Sequence, residues 1–361
     1  VLRMPDPASL VALALAQREN GTVLHPNMKD YDGAMARTWG GPAPQWYPQA
    51  MTSFPQTFAA AAGRTALVTG GTGGIGFYVA KLLCRVGLTV VLPARPNLVH
   101  EASSAAAAIV NAVPGATVIV PEVPMDLASF ESVRAFGAHM RASKSVSRID
   151  TLVLNAGRGG SAAGANELSG DGREVIMQVN LLSHALLTAE LLPLLRRSDR
   201  VRIAAQSSGA RFNAIEAGMT KDLGTSLAAV TAYHPWAQYS RSKAGACLLA
   251  RALTSRMAAA GVVGDATSSD PGLVATGVNV QHDLAATLGG RLPDTKQLHD
   301  AAAHHAADGA LPIALAALDS TAAAFYSPGG GKARSLADAA MRLEPAQIRR
   351  GDPAGFDDAT V

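Results

Sequence analysis

From Arg64 onward the chain settles into a rhythm that few folds can accommodate. Short runs rich in β-branched residues alternate with longer runs rich in Ala and Leu. The short runs read as strands at 65–69 (TALVT), 88–92 (LTVVL), 117–120 (TVIV), 150–155 (DTLVLN) and 201–206 (VRIAAQ), with a weaker sixth near 262–268. Helices are expected near 74–86, 98–112, 128–142, 173–197 and 236–260, and a further apolar helix over about 300–318. A helix between successive strands supplies the long crossover that parallel pairing requires. The pattern therefore predicts an α/β domain built from βαβ units, with helices on both faces of a parallel sheet.

Three regions follow: an extension over 1–63 rich in Pro, Trp and Tyr, the α/β domain over 64–330, and a tail over 331–361. The start of the extension allows one short helix, and the rest reads as irregular. Its aromatic residues Trp39, Trp46, Tyr47 and Phe54 exceed what a free tail needs, which points to an interface.

The first strand runs straight into TGGTGGIG, residues 69–76, and then into a helix. This is the setting of a dinucleotide phosphate site. Gly70 permits a sharp turn off the strand, and Gly74 and Gly76 remove side chains where backbone and pyrophosphate approach. The next helix points its free N–H groups and positive end at the phosphates. At the end of the second strand an acid would favour NAD by binding the ribose hydroxyls. The sequence there is VVLPARP, with Arg95 in place of an acid. A guanidinium matches a 2′-phosphate through paired hydrogen bonds, so NADP(H) is favoured over NAD(H).

Tyr239 and Lys243 stand four residues apart in a predicted helix, on one face and one turn from each other. A phenol beside a fixed ammonium makes an acid–base couple, because the positive charge favours the phenolate and lowers its pKa from about 10.

With these motifs in this order, the chain resembles the short-chain dehydrogenase/reductase family over roughly 64–330. The resemblance implies a Rossmann-type doubly wound sheet. It also implies hydride transfer between nicotinamide and a small-molecule carbonyl or alcohol. Thr69, Gly70, Gly74, Ile75 and Gly76 match the family's glycine loop. Asp126 and Leu127 stand where the family has an Asp that meets the adenine, and Asn155, Ala156 and Gly157 where it steadies the sheet and lines the cofactor. Pro271, Gly272 and Thr276 resemble the segment at the nicotinamide end. By the same resemblance Tyr239 is the proton donor and Ser208 holds the substrate oxygen. Lys243 binds the nicotinamide ribose, and Asn180 positions a water linking Lys243 to solvent.

Residues 171–195 and the ending DGALPIALAAL…AFYSPGG look like the retinol dehydrogenase-like and protochlorophyllide oxidoreductase-like branch. Asp270 departs from that branch, which often has His there, as does Ser183, where it often has Gly. The extension has no counterpart in it. The other reading of the chain is an accessory subunit of a larger assembly, joined through the extension, that keeps the fold and a nucleotide.

The remaining features set limits. A net charge of +3 without any Lys/Arg run does not imply nucleic acid. Cys84 and Cys247 give no disulfide framework and fit a reducing compartment. His184 reads as a packed histidine, the adjacent His304 and His305 point to different helix faces, and no metal site is expected. No transmembrane segment is expected, residues 9–16 being too short. A soluble intracellular protein is the expectation, in the cytoplasm or, if a leader preceded Val1, in a mitochondrion or plastid. It would assemble as a homo-oligomer or through the extension.

Overall fold

A computed structural model describes residues 44, 46–159, 167–211, 235–272, 274, 305–319 and 325–326. Thr276, Trp39 and His304, the 277–299 stretch, the start of the extension and the tail lie outside them.

Seven parallel strands form one sheet in the order β3-β2-β1-β4-β5-β6-β7. They are β1 Thr65–Val68, β2 Thr89–Val91, β3 Thr117–Ile119, β4 Thr151–Leu154, β5 Val201–Gln206, β6 Gly264–Ser269 and β7 Phe325–Tyr326. The strand order reverses between β1 and β4, which opens a crevice at the carboxyl ends of the strands. The helices are α1 Tyr47–Thr57, α2 Gly74–Val86, α3 Val99–Ala112, α4 Phe130–Ala142, α5 Val175–Leu195, α6 Pro235–Ala259, α7 Ala306–Gly309 and α8 Leu311–Leu318.

Alternate strand residues feed two separate cores, as a two-residue side-chain period dictates. Ala66, Val68, Val90, Val153 and Ala204 pack with α1, α2, α3, α7 and α8. Leu67, Val91, Leu152, Leu154, Ile203 and Ala205 pack with α4, α5 and α6. Among the described residues, α5 is long and apolar enough by length and composition to cross a membrane. Most of it is buried, with Leu187, Leu191, Leu194 and Leu195 inside the second core. A helix buried on most sides needs an apolar surface without any membrane.

The extension is the main departure from expectation. Its residues 47–57, read as irregular, form α1 and pack on the first core through the buried Tyr47, Ala50 and Phe54. Asp308, itself buried, accepts from the Trp46 and Tyr47 N–H groups at 3.0 and 2.9 Å and so satisfies two free donors at the helix start. The Tyr47 hydroxyl donates to the Tyr78 carbonyl at 2.7 Å. Pro55 lies inside α1 and has no N–H to give to the Met51 carbonyl one turn earlier. The Arg85 Nε of α2 donates to that carbonyl instead, at 3.0 Å.

Candidate active site

The glycine loop leaves β1 through Gly70, whose φ of +65° lies in the left-handed region. Gly76, in the first turn of α2, is held against that turn. A Cβ there would lie 2.2 Å from the Gly70 carbonyl oxygen and 2.5 Å from Asn155 Nδ2. Asn155, just past β4, donates from Nδ2 to the Thr69 carbonyl at 3.0 Å. The loop is thus fixed by its neighbours as a backbone-lined cradle, with Ile75 half-buried beside it.

Thr69 and His184 tie this cradle to α5. The Asn155 and Ala156 N–H groups both donate to Thr69 Oγ1 at 3.0 Å. His184 Nε2 lies 3.0 Å from the same oxygen, and its Nδ1 lies 3.2 Å from the Asn180 carbonyl. A carbonyl only accepts, so Nδ1 carries the proton and Nε2 accepts from the threonine hydroxyl. Burial pushes the imidazole pKa down to about 4, in keeping with that neutral tautomer. His184 is therefore packed, as its sequence context implies, and also wired. It spans from the strand carrying the glycine loop to the turn carrying Asn180.

That turn is widened. Gln178–Leu182 winds as a π-helix within α5, a local form that collects at functional sites. Asn180 Oδ1 accepts from the Arg158 N–H at 2.8 Å, and its Nδ2 donates to the Arg158 carbonyl and to Ser242 Oγ, both at 3.0 Å. A Cβ on Gly157 would lie 3.3 Å from both Asn180 Oδ1 and Lys243 Nζ. Asn155, Ala156 and Gly157 thus run from the cradle to the lysine.

On α6, Tyr239 and Lys243 are both buried. Lys243 Nζ lies over the Tyr239 ring, 5.5 Å from its centroid, and donates to the Gln206 carbonyl at 3.1 Å. Ser208, two residues past β5, is hydrogen-bonded through its side chain to Tyr239. The spacing therefore brings phenol, hydroxyl and ammonium together. The expected lowering of the tyrosine pKa is not what this site does. Burial dominates and pushes Tyr239 up to about 12. The Ser208 hydrogen bond pulls it down, and the nearby Asp270 charge pushes it up. Burial likewise brings Lys243 down to about 8.

Two site residues were not legible as a pair. Arg211 and Asp270 are both buried, and Arg211 Nη1 donates to Asp270 Oδ2 at 2.7 Å and to the Ser208 carbonyl at 3.0 Å. Asp270 Oδ1 accepts from the Gly272 N–H at 2.9 Å, beside the buried Pro271. No motif links positions 59 residues apart. The one trace in the sequence is the unusual acid before Pro271.

The residues expected to meet the outer part of a cofactor are more open. Arg95 is exposed just past β2. The Ala94 carbonyl beside it accepts from the Met125 N–H at 2.7 Å, which brings the Arg95 and Asp126 segments alongside each other. Asp126 Oδ1 accepts from the Ala128 N–H at 2.9 Å, and the Leu127 carbonyl accepts from Ser183 Oγ at 2.6 Å. Ser183, one of the departures from the branch, thus ties α5 to the Asp126 turn. Among the described residues no cluster of three or more His, Cys, Asp or Glu forms a metal site.

The family model for short chain dehydrogenases matches residues 64–220, which carry the glycine loop, Asn155, Asn180 and Ser208. Over these residues the chain matches the short-chain dehydrogenase/reductase family. Within this family it is 35% identical to a mouse polyprenol dehydrogenase over 59% of its own length and 61% of that relative's, less than two thirds of it. Among solved structures, a Mycobacterium paratuberculosis protein superposes with a TM-score of 0.55 at 28% identity, over 75% of this chain and 84% of the other. A candidate NAD(P) dependent gluconate 5-dehydrogenase from Beutenbergia cavernae, with NADP bound at low occupancy, superposes with a TM-score of 0.52. It is 25% identical, over 74% of this chain and 95% of the other. A short-chain dehydrogenase/reductase fold thus accounts for the sheet, the cradle and the convergence of Tyr239, Lys243, Ser208 and Asn180 at the strand ends.

Proposed function

We propose that the protein is an NADP(H)-dependent oxidoreductase that interconverts a carbonyl and an alcohol. The observation that carries this reading is the meeting of Tyr239 with Ser208 and Lys243 beside a backbone-lined cradle that has no room for a side chain at Gly76.

The cradle fits a dinucleotide. Gly70 to Gly76 would hold the pyrophosphate with backbone N–H groups and the start of α2. Asp126 and Leu127 would flank the adenine, Arg95 the 2′-phosphate, and Lys243 the nicotinamide ribose. Asn155, Ala156, Gly157, Pro271 and Gly272 would line the path between. NADP(H), when bound, supplies or accepts the hydride. The chain's own residues handle the oxygen and the proton. Ser208 orients the substrate oxygen toward Tyr239 and stabilises negative charge developing on it. With its pKa raised, Tyr239 holds its proton at neutral pH and is ready to give it to that oxygen during reduction. Lys243, titrating near 8, is the group that can return a proton to the phenol. Asn180, its amide fixed on Arg158 and Ser242, would hold the water that connects Lys243 to solvent.

The substrate reading is an apolar carbonyl or alcohol. Tyr239 packs against Val175, Ile176 and Ala210, with Trp236 at 5.8 Å between ring centroids. This agrees with the retinol dehydrogenase-like branch and with the polyprenol named for the mouse relative. The accessory-subunit reading loses its main support, because Trp46, Tyr47 and Phe54 pack on the chain's own first core.

The test is NADPH oxidation with a panel of apolar and charged ketones and aldehydes. Turnover is expected with apolar members, and Tyr239→Phe should lower kcat by about 10²–10⁴-fold. Unchanged turnover in that variant would sink the mechanism.

A further inference from the structure

The Arg211–Asp270 pair is a costly way to join two loops. Two charges are taken out of water, and a buried pair of this kind is often no more stabilising than apolar residues of the same volume. Its contacts show what it does. Arg211 follows β5 and Asp270 follows β6, and these strands are neighbours in the sheet. One guanidinium nitrogen, Arg211 Nη1, bonds both the Ser208 carbonyl and Asp270 Oδ2, and the Arg211 N–H also donates to the Ser208 carbonyl at 3.0 Å. The other carboxylate oxygen holds the N–H of Gly272, whose φ is +75°. A single ion pair therefore closes the Ser208 turn, closes the Pro271–Gly272 turn and fixes the distance between them.

We propose that Arg211 and Asp270 are a positioning pair that sets the Ser208 hydroxyl against Tyr239 and tunes the charge the phenol faces. The proposal rests on Tyr239 as the proton donor. Among the described residues, the ionisable groups around the phenol are Lys243 on its own helix, Asp270 after β6 and Arg211 after β5. Cys247 acts on Lys243, and Lys243 in turn on His184. The Asp270 carboxylate disfavours the phenolate, and Arg211 offsets that carboxylate. Removing the two partners should thus damage turnover alike and move the ionisation of Tyr239 in different directions.

The experiment uses the full chain with Asp270→Asn, Arg211→Met, Arg211→Lys and the Arg211→Met/Asp270→Asn double variant. Turnover with the best ketone, NADPH affinity by cofactor fluorescence and the phenolate absorbance of Tyr239 are measured. The absorbance is taken as the difference between each protein and its Tyr239→Phe counterpart. Displacing a reacting group by a fraction of an ångström should lower kcat about 10- to 100-fold in Arg211→Met and Asp270→Asn, with NADPH affinity held within about twofold. The double variant should be no slower than the slower single, since the two residues act as one unit. Asp270→Asn should bring the phenol midpoint down from about 12, and Arg211→Met should leave it at or above that value. Arg211→Lys keeps the cation, should retain more turnover than Arg211→Met, and decides the matter if Arg211→Met does not fold.

The proposal is overturned if Asp270→Asn leaves both kcat and the midpoint unchanged, or if both partners move the midpoint the same way. Should no carbonyl be turned over by the wild type, the oxidoreductase reading fails, while the phenol midpoints still decide what the pair does.

Discussion

The two ends of the site are built from different materials. The glycine-loop end is held by neutral hydrogen bonds and close backbone contact: Thr69 Oγ1 with Asn155, Ala156 and His184, Asn155 across to Thr69, and Gly76 on Gly70. The chemical end is held by charge, with Lys243 on a carbonyl and Arg211 paired with Asp270, all buried. Neutral contacts fix shape and respond little to pH. Buried charges fix shape and also set proton affinities, because each one acts on its neighbours through a low dielectric. On the proposed function, a loop that only receives phosphates can be built the first way, whereas a proton donor needs the second.

The sharpest way to break this contrast is to crowd the neutral end. In Gly76→Ala the new methyl meets the Gly70 carbonyl oxygen at 2.2 Å, a backbone atom that cannot swing aside. Such overpacking should cost about 1–3 kcal/mol of stability in urea unfolding, with NADPH binding lost in titration. At the charged end, a Cβ on Gly209 would make only ordinary contact, 3.5 Å from Asp270 Oδ2, so Gly209→Ala should keep wild-type stability.

Next comes the lysine. As pH rises through about 8 Lys243 loses its charge, and kcat/KM for NADPH-dependent reduction should fall across that range. Lys243→Arg should abolish that limb, since a guanidinium stays charged. A limb that persists unchanged in the variant would assign it elsewhere. Arg95→Ala should weaken NADPH roughly 10-fold and leave NADH nearly unaffected, the loss expected for one charge-assisted contact. Equal weakening of both cofactors would remove the case for NADP(H).

The last test asks whether the neutral end is neutral. His184 has a folded pKa near 4 against 6.5 for the free side chain, so between these values the unfolded chain binds a proton that the native one does not. Stability attributable to His184 is complete above about 6.5 and is lost as pH falls toward 4, with a slope of at most about 1.4 kcal/mol per pH unit. The slope should be shallower in His184→Gln by urea unfolding across that range.

Much of this molecule was legible in its sequence. Six strands lie within one or two residues of the expected positions, because β-branched runs between helical stretches leave little freedom. The Phe325–Tyr326 strand was not, since two residues carry no period. α1 was hidden by Pro48 and Pro55, which read as breakers. Pro48 stands in the first turn, where no N–H is needed, and Arg85 takes the carbonyl that Pro55 leaves open. In the candidate site, motif order named Asn180, Ser208, Tyr239 and Lys243. What order could not give was distance through space. The raised phenol pKa depends on burial and on Asp270, and the tie between Arg211 and Asp270 depends on two loops leaving neighbouring strands.

The cap that Asp308 places on α1 joins positions 262 and 261 residues apart. During synthesis α1 emerges ahead of the α/β domain and waits, its opening N–H groups and the faces of Tyr47 and Phe54 unsatisfied, until nearly all of that domain has followed. Closing so long a loop costs chain entropy before any contact rewards it. α1 is thus among the last parts to become stable, and the late-made α7, through Asp308, acts as its latch. Cutting the chain just before His305 should therefore loosen α1, the element farthest from the cut in sequence, and a protease probe of residues 46–58 would read that out.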